Sequence, residues 1–178
     1  MEPRPDEFRV VMGHFATGIS VVTTFDGEKP AGITVNAFSS VSLEPALVMV
    51  ALDRGRFITP MVRASGRYAV SVLGADQQAL SDCFAHAPAR PGELGREDFC
   101  GASWHAGRMG LPLIDGSIAT LECTVVETFS AGDHDLFIGR VDSMNEPREG
   151  VAPLLYFRRR YLRIEQGADS PVEGKPEG

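Results

Sequence analysis

Between Gly32 and Pro45 the chain reads Gly-Ile-Thr-Val-Asn-Ala-Phe-Ser-Ser-Val-Ser-Leu-Glu-Pro, so Thr34, Asn36, Ser39, Ser40 and Ser42 crowd hydrogen-bonding side chains into one short segment. The segment begins like a strand, breaks into hydroxyl-bearing residues, and leads into the apolar run Leu47 to Leu52. A hydroxyl-rich turn beside a buried strand can aim several O–H and N–H donors at one cluster of anionic oxygens, such as the phosphate of a nucleotide-like cofactor. Arg54 and Arg56 follow the apolar run and can neutralise phosphate. They can equally be solvated surface charges. A second candidate is His134 in Gly132-Asp133-His134-Asp135. A neutral imidazole there can hydrogen-bond amide or phosphate oxygens, although Gly and Asp also mark ordinary turns.

The elements that must position these groups are mostly strands. Phe8, Val11, Met12 and Phe15 recur at helical spacing, with Pro5 and Asp6 at the start and Gly18 at the break, which predicts an amphipathic helix. Ile19 to Phe25 is a β-branched run, and Asp26-Gly27 turns it into a strand containing Ile33 and Val35. Leu47 to Leu52 is apolar on both faces and reads as an inner strand. Arg67 to Leu73 alternates as a strand. Ala75 to Phe84 reads as a helix with Ala79, Leu80, Cys83 and Phe84 on one side. Residues 85–117, rich in Gly and Pro, read as an irregular excursion containing Trp104 and His105. Ile118 to Phe129 and Leu136 to Val141 form a long hairpin with His134 at its tip, and Leu154 to Phe157 and Tyr161 to Ile164 close the list. Many strands without strict strand–helix alternation predict a mainly β barrel with flanking helices.

Length and composition fit one soluble domain of residues 6–165, with flexible termini at 1–5 and 166–178. A formal charge of −7 opposes general nucleic-acid binding, which needs a basic surface. No run of apolar residues is long enough to span a membrane, and charged Glu2, Arg4, Asp6 and Glu7 replace a signal-peptide core. Cys83, Cys100 and Cys123 are widely spaced, which predicts reduced thiols in a cytoplasmic protein.

Several chemistries lack their usual signatures. No Gly-x-Gly-x-x-Gly or Walker-type loop occurs. The four histidines lack metal-site spacing, so no metal is expected. No Gly-x-Ser-x-Gly elbow marks an acyl-transfer nucleophile. These absences favour a binding module or an enzyme whose cofactor carries the chemistry.

Four segments, in order, resemble the flavin reductase-like family, the small reductase components of two-component flavin monooxygenases. Phe8 to Thr24 (Phe-Arg-x-x-Met-Gly-x-Phe-Ala-Thr-Gly-Ile-x-Val-Val-Thr-Thr) is similar to its opening. Thr34 to Pro45 resembles its flavin-contacting segment. Gly132-Asp133-His134 resembles its nicotinamide motif, and Leu154-Leu155-Tyr156-Phe157-Arg158-x-x-Tyr161 its closing strand. The resemblance covers Asp6 to Glu165.

The resemblance implies an FMN-binding split β-barrel of Greek-key type with flanking helices, assembled as a homodimer with flavin at the interface. It implies hydride transfer from NADH or NADPH to FMN or FAD, and delivery of reduced flavin to a partner monooxygenase. The cofactors carry the transfer, so no catalytic residue is expected. The flavin set it implies is Thr34, Val35, Asn36, Ala37, Ser39, Ser40, Ser42, Arg54, Arg56 and Ser71. Within it Asn36 suits the pyrimidine edge of the ring and Ser39 and Ser40 suit ribityl or phosphate oxygens. His134, Arg158 and Tyr161 form the nicotinamide set, while Arg159 and Arg160 read as solvated. Two positions depart from the family: Arg56-Phe57-Ile58-Thr59 stands where relatives carry Ser-x-Thr, and Ser71 where Asn is common. A flavin-binding carrier or sensor without turnover is the alternative, since related split barrels bind flavin for other purposes. A cofactor-free dimerisation domain would leave the Thr34–Ser42 composition unexplained.

Overall fold

The computed structural model describes residues 4–86, 99–145 and 147–164. The expected flexible tail lies outside these residues. Seven strands form one antiparallel sheet: β2 (Ser20–Asp26), β3 (Lys29–Val35), β4 (Phe38–Leu43), β5 (Ala46–Asp53), β6 (Arg67–Val72), β9 (Ala119–Ala131) and β10 (His134–Met144). Their order is β3-β2-β6-β9-β10-β5-β4. The chain therefore passes from β5 to β6 across the place that the β9–β10 hairpin fills.

That order dictates the curvature. β3 and β4 lie at opposite ends of the sheet, yet only Asn36 and Ala37 separate them. In a flat sheet six strand spacings would put the ends roughly 29 Å apart. Three peptide steps from Val35 to Phe38 reach at most about 11 Å. The sheet must roll up until its edges meet, and no ladder bonds join β3 to β4 among the described residues. The result is a barrel split at one seam, in agreement with the expected fold. Its interior is filled by Val22, Ile33, Val35, Val48, Val50, Leu52, Tyr68, Val70, Cys123 and Phe137, with α2 (Ile58–Ser65) closing one side through Ile58 and Val62. As expected, β5 is an inner strand, paired with β10 and β4.

A second cluster lies outside the barrel. Helix α3 (Gln78–Ala85), entered through a 3-10 turn at Ala75–Gln77, packs Phe84 against Phe99, Ile19 and Leu154. A Cβ on Gly32 would come 2.8 Å from Phe84 Cε1, so only glycine lets α3 sit this close to β3. A small sheet of β1 (Thr17–Gly18), β11 (Leu155–Phe157) and β12 (Arg160–Leu162) packs nearby.

Three expectations need correction. Residues 85–117 are not wholly irregular: β7 (Trp104–Ala106) pairs with β8 (Pro112–Ile114), too briefly for alternation to reveal them. The thiols are not all reduced. Cys83 on α3 and Cys100 in the Phe99–Gly101 turn form a disulfide, their Cα atoms 6.0 Å apart, within the usual bridging range. Finally, α1 (Pro5–Met12) starts where expected but ends at Met12, short of Phe15 and the expected break at Gly18, and no residue of it is buried against this chain. No helix of the described residues is long and apolar enough to cross a membrane.

Candidate functional site

The hydroxyl-rich segment occupies the seam. Asn36 and Ala37 are exposed in the link, Ser39 and Ser40 are exposed on β4, and Ser42 is half-buried. The link is held by Ala51 N–H donating to Ala37 O at 3.0 Å. β4 pairs only with β5 among the described residues, and a bulge at Val41 shifts its register between Ser40 and Ser42. Such bulges re-aim side chains at sheet edges. Ser39 Oγ donates to Ser40 O at 3.1 Å, and the Asn36 side chain has no hydrogen bond among the described residues. The seam therefore presents an amide and three hydroxyls, an arrangement able to take both ring-edge and phosphate oxygens.

Thr34, Val35 and Ser71 are placed differently from Asn36. Thr34 Oγ1 donates to Ser81 O at 2.7 Å, and Ser81 Oγ meets Tyr161 Oη at 2.9 Å. The hydroxyl of Thr34 thus fastens β3 to α3, and Tyr161, expected beside His134, joins this polar chain instead. Partial burial raises the Tyr161 phenol above its ordinary value. The Val35 side chain is in the core, leaving only its backbone for a ligand. Ser71 is fully buried and accepts from Ile114 N–H at 3.1 Å, under β8. As a side-chain cofactor contact Ser71 is corrected: its hydroxyl is spent on positioning β8.

The second cluster lies at the C-terminal end of β5, two residues beyond the Ala51 that holds the link. Asp53 faces His134 across the β5–β10 ladder. Arg54 N–H donates to Asp133 O at 3.0 Å, and the Arg54 guanidinium donates to Gly132 O. Arg54 thereby ties the β5 end to the Gly132-Asp133-His134 turn. His134 Nδ1 meets Asp133 Oδ1 at 2.6 Å, and this bond holds the Asp133 carboxyl below the usual range. The His134 side chain is 41% exposed, so the ring remains open to a ligand. Beneath it, buried Asp135 receives Arg63 at 2.7 Å and Ser130 at 2.8 Å, and the Arg63 hydrogen bond lowers its carboxyl.

Arg56 is half-buried in the turn after β5, its N–H bonded to Asp53 O at 3.0 Å. Thr59, the displaced hydroxyl of the altered motif, is 2% exposed and donates to the same carbonyl at 2.7 Å. Its hydroxyl closes the turn.

Arg158 is exposed, like Arg159 and Arg160. Its N–H donates to Gly13 O at 2.7 Å and its guanidinium lies 5.3 Å from the Phe157 ring, so it anchors the end of α1. No hydrogen bond or ion pair joins it to His134 among the described residues. Trp104 packs edge-on between Phe25 and Phe99, each 6.1 Å away, and His105 pairs with Asp115 at 2.6 Å. Ser81, Arg63, Asp135 and Ser130 were not singled out from sequence. Asp135 alone carried a signal, sitting where alternation points a side chain inward.

Residues 12–165 match the family pattern described as Flavin reductase like domain. The chain is 36% identical over 169 residues to the reductase subunit HsaB of a flavin-dependent monooxygenase from Mycobacterium tuberculosis, covering 94% of this chain and 87% of that protein. It is 39% identical over 165 residues to the NADH-dependent FMN reductase AsuE2 of Streptomyces nodosus subsp. asukaensis, covering 92% and 87%. Among solved structures it is similar to the NADH:FAD oxidoreductase SgcE6 of Streptomyces globisporus in complex with NAD and FAD fragments. That likeness has TM-score 0.83 and 32% identity over 95% of this chain and 99% of that one.

Proposed function

The chain belongs to the flavin reductase-like family, and on that premise we propose that it is an NAD(P)H:flavin oxidoreductase that supplies reduced flavin to a partner monooxygenase. The observation that carries this reading is Arg54 joining the end of β5, whose partner β4 bears the exposed hydroxyls, to the turn that presents His134. One strand thus links both candidate subsites.

The residues fit FMN or FAD. Asn36, Ser39, Ser40 and Ser42, with the backbone of Val35 and Ala37, would hold the flavin, and Arg54 and Arg56 would add positive charge near its phosphate. Flavin held by these residues would supply the acceptor for a hydride from NADH or NADPH, a transfer that needs the two rings stacked. The chain's part is to fix that stacking and keep it oriented. His134, whose Nδ1 is fixed by Asp133, offers Nε2 to the nicotinamide nucleotide. Arg54 limits how far the His134 turn can move.

The assembly we propose is a homodimer. Phe8, Val11, Met12 and Phe15 are 57%, 68%, 47% and 68% exposed, and Leu43 at the end of β4 is 95% exposed. An apolar helix stripe left exposed in this way marks an interface. In a dimer Arg158 and Tyr161 of one subunit can approach the His134 of the other. We place the protein in the cytoplasm because its reaction consumes reduced nicotinamide nucleotide. The cysteines no longer support that placement, given the disulfide.

The test is NADH and NADPH oxidation by purified protein with and without FMN, FAD and riboflavin, on a preparation sized by light scattering. Flavin should stimulate turnover, and the mass should be twice the chain's 19.2 kDa. No stimulation by any flavin overturns the reductase reading, and a 19.2 kDa species overturns the dimer. Flavin binding without turnover would instead leave a carrier.

A further inference from the structure

Both chain neighbours of His134 are held by arginines. Asp133 O accepts Arg54 N–H at 3.0 Å, and Asp135 Oδ2 accepts the Arg63 guanidinium at 2.7 Å. The first contact ties the turn to the end of β5, and the second ties β10 to α2.

Asp135 is a costly residue for its place. Alternation along β10 turns Asp135, Phe137 and Gly139 inward, and the Asp135 side chain is only 3% exposed. A carboxylate so enclosed is unfavourable unless it is paired and hydrogen-bonded. An apolar residue in such a position often stabilises a fold as well as the ion pair does. Stability alone is therefore a weak reason for the pair, whereas fixed geometry is something only the pair supplies. Oδ1 of the same carboxylate accepts Ser130 Oγ at 2.8 Å, and Ser130 is the cross-strand partner of Asp135 on β9. One side chain thus joins α2, β10 and β9, directly below the Ala131–His134 pair that ends the hairpin.

Arg63 stands on a firm base. Ile58 and Val62 sink α2 into the core, and Thr59 Oγ1 fastens its first turn to Asp53 O at 2.7 Å. The Arg63 guanidinium also lies 5.8 Å from the Phe137 ring. A hairpin tip with Gly132 at φ +60° would ordinarily move more than its strands. Here a tilt of the tip must break an arginine contact on one side of His134 or the other. Orientation is worth holding, because a misplacement of about 1 Å can cost about a hundredfold in a transfer that depends on aligned rings.

We propose that Arg63 is a positioning residue for the nicotinamide nucleotide: through Asp135 it fixes the direction in which β10 presents His134. The inference rests on the reductase reading and on His134 as the nucleotide contact. Arg63 acts through His134 and not on the ligand.

The test compares the full chain with Arg63→Met, Arg63→Lys, His134→Ala and the Arg63→Met/His134→Ala double variant. The KM for the preferred nicotinamide nucleotide, the flavin KM and the histidine ring NMR signals of the free protein are measured for each. Arg63→Met should raise the nucleotide KM at least about threefold, the low end of coupling between touching side chains, and leave the flavin KM within about twofold. In the His134→Ala background the same substitution should add no further rise. Lysine can make the one N–H···O bond that Arg63 makes to Asp135, so Arg63→Lys should recover part of the loss. The ring signals of His134, assigned by their disappearance in His134→Ala, should shift in Arg63→Met while those of His14, His86 and His105 stay in place. An equal rise in both KM values overturns the proposal, as does a rise that persists without His134. So does Arg63→Lys as impaired as Arg63→Met, or an unmoved His134 signal. Should Arg63→Met fail to fold, Ser130→Ala decides by the same readouts, and an unchanged nucleotide KM there overturns the proposal. A parent chain without flavin-stimulated turnover overturns the reductase reading instead, and the His134 signals then decide whether Arg63 holds the turn.

Discussion

Thr34 and Asn36 stand two residues apart in the same hydroxyl-rich segment, and the structure places them differently. Thr34 Oγ1 donates 2.7 Å to Ser81 O across the β3–α3 junction, whereas Asn36 is exposed with no side-chain bond among the described residues. Thr34→Val keeps the shape and removes one neutral, part-buried hydrogen bond, which contributes about 1 kcal/mol. For a domain of this size that lowers Tm by roughly 2–4 °C. Asn36→Ala removes no internal bond, so its stability should stay within about 0.5 kcal/mol of the parent. If Asn36 holds the flavin ring edge through one hydrogen bond of about 1 kcal/mol, its loss should raise the flavin KM about fivefold. Urea denaturation at one fixed protein concentration, beside NADH oxidation at varied flavin, reads both numbers. A flavin KM that rises in Thr34→Val and not in Asn36→Ala would refute the assignment. So would an Asn36→Ala variant that loses 1 kcal/mol or more.

Two further outcomes follow from charge and thiol chemistry. The Asp135 carboxyl is held below its usual range chiefly by Arg63, so its folded-state stabilisation is present above the unfolded carboxylate value near 4 and disappears as pH falls through the lower folded value. Arg63→Leu should therefore destabilise more at pH of about 7 than at pH of about 3, and a gap that stays constant across urea titrations at the two pH values would contradict this. Burial pushes the Cys123 thiol up to about 12, and Cys83 and Cys100 are bridged. A thiol-reactive chromophore at pH of about 8 should find almost no thiol in the native protein, because only the thiolate reacts. It should find one per chain in denaturant without reductant and three after reduction; three without reduction would refute the bridge.

What could be read from the sequence was whatever repeats with a period. The β9–β10 hairpin, inner strand β5 and the Gly27 turn all follow from alternation and turn chemistry, which are local. The β7–β8 pair escaped because three-residue strands show no period. The disulfide escaped because spacing between cysteines says nothing about distance across a fold. Helix α1 was legible, but its apolar stripe faces away from this chain, and no periodicity tells which molecule a stripe will meet. Thr34 was ambiguous for a related reason. A threonine hydroxyl beside a strand looks the same whether its acceptor is a ligand or the carbonyl of Ser81, and only the position of α3 decides. The same holds for Ser71, buried by a hairpin that the sequence did not reveal.

The seam explains why the one segment that most suggested chemistry lies where it does. A sheet whose end strands are joined by Asn36 and Ala37 cannot lie flat, yet β3 and β4 form no ladder with each other. Backbone and side-chain groups at such an edge must find other partners or water. Small hydroxyl-bearing residues suit that edge because they bond locally, as Ser39 does, without the bulk that would prop the seam open. A flat cofactor with polar groups along its rim can supply the remaining donors and acceptors, and the bulge at Val41 shifts the register of that edge. The barrel's incomplete closure and the exposure of Asn36, Ser39 and Ser40 are then one property of the β3–β4 link. Arg54 extends that property along β5, connecting the seam strand to the turn that presents His134.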